Sequence, residues 1–175
     1  MSYFSIDVES DDQSPATGSM VCFGAVKVSD TSKTFYGKTA PITDGYNPEA
    51  LAISGFSRKE HEAFAPPIYA MKEFFDWVIE NNEGGRPIFI CDNPAFDWQW
   101  INFYFHRYVG ENPFGHSARR IGDLYCGLVK HGGKNHDWKK KYRKTRHTHN
   151  PVDDAMGNAE ALIAFRDKLG LNIKY

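Results

Sequence analysis

Three short strand-like runs fill the first 39 residues, joined by links too short for anything but tight connections, and after them the hydrophobic period changes. Residues 2–9 alternate. Phe4, Ile6 and Val8 point one way and Ser5, Asp7 and Glu9 the other, the period of a strand with one face in a core. Residues 10–18 carry turn chemistry. Residues 19–28 are apolar almost without a break, which predicts a buried central strand, and Asp30-Thr31-Ser32 turns the chain into a third strand at 33–39. Links this short predict an antiparallel meander.

Helical spacing then takes over. Asn47-Pro48 opens a short helix to about Ala52. Pro66-Pro67 precedes a helix over about 68–82, with Met71, Phe74, Phe75, Val78 and Ile79 on one face, and Gly84-Gly85 ends it. Residues 87–91 read as a short buried strand, and Asn93-Pro94 leads into an aromatic-rich helix over 94–109. A short strand at 119–122, a helix to about His131, a basic loop, and a last helix from Asn150-Pro151 to about Lys168 complete the chain. A meander followed by alternating strands and helices predicts an α/β fold, a mixed sheet of three antiparallel strands plus parallel strands flanked by helices, in one domain over residues 1–175.

The composition is that of a globular protein, 41% apolar and 25% charged over 175 residues. It excludes a disordered tail, a collagen-like chain and a disulfide miniprotein. No apolar run approaches the roughly 18 residues of a membrane span, and the first residues carry Asp7 and Glu9 where a signal peptide would be apolar. The expectation is a soluble, cytoplasmic protein with no membrane partner. Cys22, Cys91 and Cys126 form no C-x-x-C pair and sit in or beside apolar stretches, so they read as reduced thiols. The net charge of −1 hides an asymmetry: Lys130 to Arg146 holds eight Lys and Arg and one acid. One basic segment on an acidic body suggests a local polyanion contact, although a solvated lysine-rich loop would have the same composition.

Asp7 and Glu9 lie two apart on one strand, so their carboxylates share a face about 6–7 Å apart. Like charges so placed repel unless a cation joins them, though a solvated edge strand would also carry them. Asp97, in Asp92-Asn-Pro-Ala-Phe-Asp97, falls in the first turn of a helix that follows a buried strand. A carboxylate there suits the helix dipole, and strand ends are also where open α/β sheets gather their ligands. His149 stands just before the last helix, with Asp153 and Asp154 inside its first turn. Asp153 fits a capping role, while Asp154, beside Ala155, can look toward the sheet.

D-x-E on a first strand, N-x-x-F-D at a strand-to-helix junction and H-x-x-x-D-D-A at a last helix, taken in that order, resemble the DEDDh family of 3′→5′ exonucleases. That family includes polymerase proofreading exonucleases, oligoribonuclease and ribonuclease T. The resemblance runs over nearly the whole chain, and Asn47-Pro-Glu-Ala-Leu-Ala-Ile-Ser-Gly55-Phe and Arg120-Ile-Gly-Asp123-Leu124 extend it. It implies a ribonuclease H-like sheet and two divalent cations, Mg²⁺ or Mn²⁺. Asp7 would bridge both ions, Glu9 and Asp154 would hold the ion carrying the attacking water, and Asp97 would hold the other, partly through water. His149 would be the general base, and 5′-mononucleotides would leave a single-stranded RNA or DNA 3′ end. Oxygen ligands without cysteine suit such hard ions.

The pattern also departs from the family. Ser10 and Asp11 stand where two threonines often hold the terminal nucleotide; Ser10 keeps a hydroxyl, while Asp11 adds charge. His147 is a rival base, and the interval to Asp154 favours His149. Trp98 and Trp100, close to Asp97 in sequence, are the aromatic side chains best suited to stack on a base, although most aromatics must be core. Lys139, Lys140, Lys141, Arg143, Lys144 and Arg146 run directly into His149 and could grip phosphates. The resemblance allows a homodimer, as in ribonuclease T. Two other readings use the same residues: a docking module that binds nucleic acid without cutting it, and a hydrolase of very short oligonucleotides.

Overall fold

The computed structural model describes residues 1–174. β1 (Tyr3–Ser10), β2 (Met20–Lys27) and β3 (Thr34–Lys38) pair antiparallel in chain order, as their short links predict. α1 (Pro48–Ile53), α2 (Arg58–Glu62) and α3 (Pro67–Glu80) carry the chain across the sheet to β4 (Ile88–Cys91), which pairs parallel to β1. α4 (Pro94–Tyr108) returns it to β5 (Ala118–Arg120), parallel to β4. α5 (Ile121–Val129), α6 (Asp137–Tyr142) and α7 (Pro151–Leu169) follow. The strand order is β3-β2-β1-β4-β5, a mixed sheet with β1 at its centre. No helix among the described residues is long and apolar enough to cross a membrane.

The two faces of β1 bury against different helices. Phe4, Ile6 and Val8 join Phe23, Met71, Phe74, Phe89 and Phe105 in one core. Tyr3 joins Val26, Ile90, Ile121, Trp138, Leu162 and Phe165 in the other. Side chains alternate along a strand, so Ser5, Asp7 and Glu9 share the second face, the one α7 covers. β2 is buried along its whole length, as its apolar run predicts.

Of the three Asn-Pro pairs that open helices, two cap them through the asparagine side chain. Asn47 accepts from the amides of Glu49 and Ala50, and Asn150 from that of Val152. Asn93 makes no such bond; its own amide donates to Asp97, 3.3 Å away. Asp153 is not the cap of α7, and its carboxylate instead accepts the Thr148 hydroxyl.

Two helices differ from the sequence reading. α2 is nucleated by a capping box between Ser57 and Glu60 in a stretch with little apolar period. α6 lies inside the segment expected to be a basic loop. Trp138, wholly buried, anchors it to the second core, and the lysines fill its outer face.

One glycine decides how closely α7 lies on the sheet. Gly24 is the cross-strand partner of Asp7, and a Cβ there would come within 2.5 Å of the Pro151 and Val152 backbone. The bare position admits the first turn of α7 beside Asp7.

Candidate active site

Asp7 and Glu9 project from β1 toward the first turn of α7, where Asp154 points back at them. Oxygen atoms of the three carboxylates lie within 4.8 Å of one another. Asp97 approaches from the N-terminus of α4, with its oxygens accepting from the amides of Val8 (3.2 Å) and Asn93 (3.3 Å). Those bonds fix its carboxylate and limit how far it can turn toward a cation. Asp97 and Asp154 are almost fully buried, 4% and 1% exposed.

Crowding carboxylates in a poorly hydrated place raises their proton affinity. Burial lifts the Asp7 carboxyl well above its usual range, with further contributions from Asp97, Asp154 and Glu9. Burial, then Asp154, pushes Glu9 up to about 8. Burial pushes Asp97 up to about 7 against the pull of the Cys91 thiol and the two backbone amides. The cluster therefore needs positive charge, and its donor set is all oxygen, which fits hard divalent cations.

Asp154 is held from every side. Its Oδ1 accepts from the Arg143 guanidinium and, at 3.3 Å, from the Thr148 amide. Its Oδ2 accepts from the His149 amide at 3.1 Å and lies 2.7 Å from His147 Nδ1. His149 sits at φ +60°, a left-handed conformation unusual for a residue with a Cβ. That turn aims its ring at the acids, with Nδ1 3.5 Å from Glu9 Oε1 and the side chain half exposed. Both candidate bases thus reach the cluster, His149 against Glu9 and His147 against Asp154.

Arg143 reaches Asp154 over Gly157 of α7, where a Cβ would come within 2.3 Å of Arg143 Nε. Glu160, one turn on, accepts from the amides of Lys144 (2.7 Å) and Thr145 (2.8 Å) and from the Thr145 hydroxyl (2.9 Å). The strap from Arg143 to Thr145 is thereby tied to α7. Lys139, Lys140, Arg143, Lys144, Thr145, Arg146 and His147 line a cavity of about 420 Å³ beside the acids. Lys140, Lys144 and Arg146 are exposed there. Lys139 lies 2.5 Å from Asp92, and Lys141 donates to the Tyr125 hydroxyl at 3.2 Å, away from the cavity lining.

The packing corrects the expectations for Trp100, Ser10 and Asp11 and leaves Trp98 partly open. Trp100 is wholly buried in the first core and offers no face to a base. Trp98 is half-buried, edge-on to Phe89 at 5.1 Å. Ser10 is buried and its hydroxyl donates to the Asp12 carbonyl at 2.5 Å, so it is engaged within its own turn. Asp11 adds no charge to the substrate side. It points inward, accepts from the Ser19 amide and pairs with Arg58 at 3.1 Å, with His61 3.6 Å away. Sequence reasoning missed the inward roles of Arg143 and Arg58; Gly157, which makes room for Arg143, was the available signal for the first, and no local feature marked the second.

A mixed five-stranded sheet carries D-x-E on its central strand, with an aspartate from each of two helix N-termini and a histidine before the second, the arrangement that the resemblance in the sequence leads one to expect. The chain belongs to the Rv2179c-like 3′-5′ exoribonuclease domain family, whose model matches residues 2–165. It is 36% identical over 130 residues to the 3′-5′ DNA exonuclease Cap18 of Escherichia coli, covering 72% of this chain and 68% of that protein. The nuclease domain of 3′hExo, a DEDDh family member bound to rAMP, superposes with a TM-score of 0.72 at 12% identity, over 99% of this chain and 95% of that one. Cell-death related nuclease 4 gives 0.73 at 13% identity over 95% of this chain, which spans 64% of that one. E. coli exonuclease I in complex with a dT13 oligonucleotide gives 0.67 at 15% identity over 95% of this chain and 41% of that one. At these identities the structural likenesses bear on the fold.

Proposed function

We propose that this chain, as one exonuclease domain, removes 5′-mononucleotides from single-stranded 3′ ends by a two-cation mechanism with His149 as general base. The convergence of Asp7, Glu9 and Asp154 within 4.8 Å, beside the strap that ends in His149, carries this reading. Asp7, Glu9 and Asp154, with Asp97 behind them, would hold two divalent cations, Mg²⁺ or Mn²⁺, which when bound supply charge for the scissile phosphate and acidify the attacking water. His149 takes the proton from that water; its half-exposed ring on a constrained backbone reaches both solvent and Glu9. Arg143 holds the Asp154 carboxylate in place. Lys140, Lys144 and Arg146, exposed around the cavity, grip phosphates upstream of the cut.

The family model names RNA and the E. coli relative DNA, so single-stranded 3′ ends of either sugar are the proposed substrate class. The test is a time course on matched 5′-labelled RNA and DNA oligomers of several lengths, with Mg²⁺, Mn²⁺ or EDTA, beside Asp7→Asn. The expected result is a metal-dependent ladder shortening from the 3′ end that the variant abolishes while keeping its fold by circular dichroism. Near wild-type turnover in Asp7→Asn would sink the two-cation assignment. Retention of nucleic acid without cleavage would favour a docking module, and cleavage confined to the shortest oligomers a hydrolase of that class.

A further inference from the structure

The strap before α7 sets two imidazoles against a carboxylate that the hydrolytic site also uses. Donor atoms of His147, His149 and Asp154 lie within 4.8 Å of one another, and the two rings are 4.4 Å apart. His147 Nδ1 is 2.7 Å from Asp154 Oδ2, an ion-pair contact that already brings an imidazole nitrogen and a carboxylate oxygen together. Arg143 occupies the other oxygen, Oδ1, so Oδ2 is the one turned to the histidines. Both imidazoles are exposed and Asp154 is buried, so the group is open on one side and firmly seated on the other. Glu9 Oε1, 3.5 Å from His149 Nδ1, stands by as a fourth donor.

This donor set differs in kind from the all-oxygen group of Asp7, Glu9 and Asp154. Two imidazole nitrogens and a carboxylate suit a borderline ion such as Zn²⁺, while Mg²⁺ prefers oxygen and water. We propose that His147, His149 and Asp154 form a second cation site, selective for transition ions of the Zn²⁺ class, which overlaps the hydrolytic site at Asp154 and silences it when filled. Silencing rests on the reading of His149 as base and Asp154 as ligand in the proposed function. A bound ion would take the imidazole lone pair that receives the water's proton, and it would take the Asp154 oxygen turned to the histidines, leaving that carboxylate less able to hold the hydrolytic cations.

The test uses the full chain in two arms. In the first, without substrate or Mg²⁺, Co²⁺ is titrated and followed by its visible bands, which intensify in a four-coordinate site, and Zn²⁺ binding is measured by calorimetry. Wild type is expected to bind both, and His147→Ala to bind at least about tenfold more weakly, the loss typical even of a residue one layer out from a metal. Equal affinity in the two proteins, or Co²⁺ bands of a six-coordinate oxygen site, would overturn the proposal. In the second arm, Zn²⁺ is added at saturating Mg²⁺ and the rate on labelled 3′ ends is scored relative to each protein's own rate without Zn²⁺. The half-inhibiting concentration is expected to rise at least about tenfold in His147→Ala. His147-dependent binding with no loss of rate would overturn the silencing. His147-dependent binding in a protein that cuts no substrate with Mg²⁺ would instead sink the exonuclease reading and leave the cation site standing.

Discussion

His149 and Arg143 show what one side chain can do beside a crowded set of acids. His149 holds a left-handed backbone fixed by the hydrogen bond its amide donates to Asp154, and the turn brings its ring to Glu9. His149→Ala should lower turnover at least about 10²-fold, as loss of a general base does. Single-turnover rates on a labelled 3′ end check it, and a comparable drop in His147→Ala with His149→Ala near wild type would move the role two residues back. Arg143 reaches Asp154 only because Gly157 has no Cβ. Arg143→Ala and Gly157→Ala should therefore share a phenotype: weaker Mn²⁺ binding by calorimetry and turnover reduced at least about tenfold, the usual loss when a group that orients a metal ligand is removed. Alanine favours a helix interior over glycine by about 1 kcal/mol, so a loss in Gly157→Ala would not come from a weakened helix, while an Arg143→Ala protein with unchanged Mn²⁺ affinity would show that Arg143 does not position Asp154. The acidic residues were legible in the sequence because their spacing fixes them to particular turns. Arg143 read only as part of a basic run, because nothing local distinguishes a lysine or arginine facing phosphate from one folded back onto a carboxylate.

Among the elements, α7 closes the acid cluster over β1, and its position rests on β2, a strand that carries none of the proposed site residues. Gly24 on β2 pairs with Asp7 and lies under Pro151 and Val152. Gly24→Ala should push the start of α7 off the sheet, destabilise the protein by about 1–3 kcal/mol as overpacking does, and slow cleavage by more than the stability loss explains. Urea denaturation and the labelled-end assay together measure both. A variant that is destabilised yet fully active would show that α7 tolerates the shift. The strands and long helices were readable from period and from Asn-Pro punctuation. α6 was not, because one buried tryptophan among lysines gives no apolar period, and its helix is set by the pocket Trp138 fills in the second core.

For the whole molecule, the acid cluster makes metal-free stability depend on pH in a set direction. Glu9 and Asp97 have folded-state affinities raised to about 8 and about 7, above their ordinary 4.5 and 3.8. A carboxyl raised on folding favours the native state while protonated, so that contribution is complete below the ordinary pKa and is lost as pH rises through the raised one. With EDTA, thermal stability should fall by at least about 3 °C between pH 5 and pH 8.5, since about 1 kcal/mol moves the midpoint of a chain this size by a few degrees. Mg²⁺ should remove most of the fall by replacing the protons. Scanning fluorimetry at both pH values checks this, and stability that rises with pH in EDTA would contradict the assigned burial of the cluster.

The sequence by itself determined the mixed sheet, the two helix starts that present Asp97 and Asp154, and the strand face that Asp7 and Glu9 share. Each follows from a local period or a cap, and local geometry needs no knowledge of distant chain. Only the tertiary structure decided which side chains meet across the molecule. It buried Trp100, turned Asp11 inward to Arg58, drew Arg143 from the basic strap to Asp154, and set both histidines against the acids. Those outcomes depend on how closely α7 can lie on β2 and on which cation reaches which buried carboxylate. The first is settled by volume contributed from opposite ends of the chain, and the second by how the strap and α2 pack against the sheet, so neither follows from a local period.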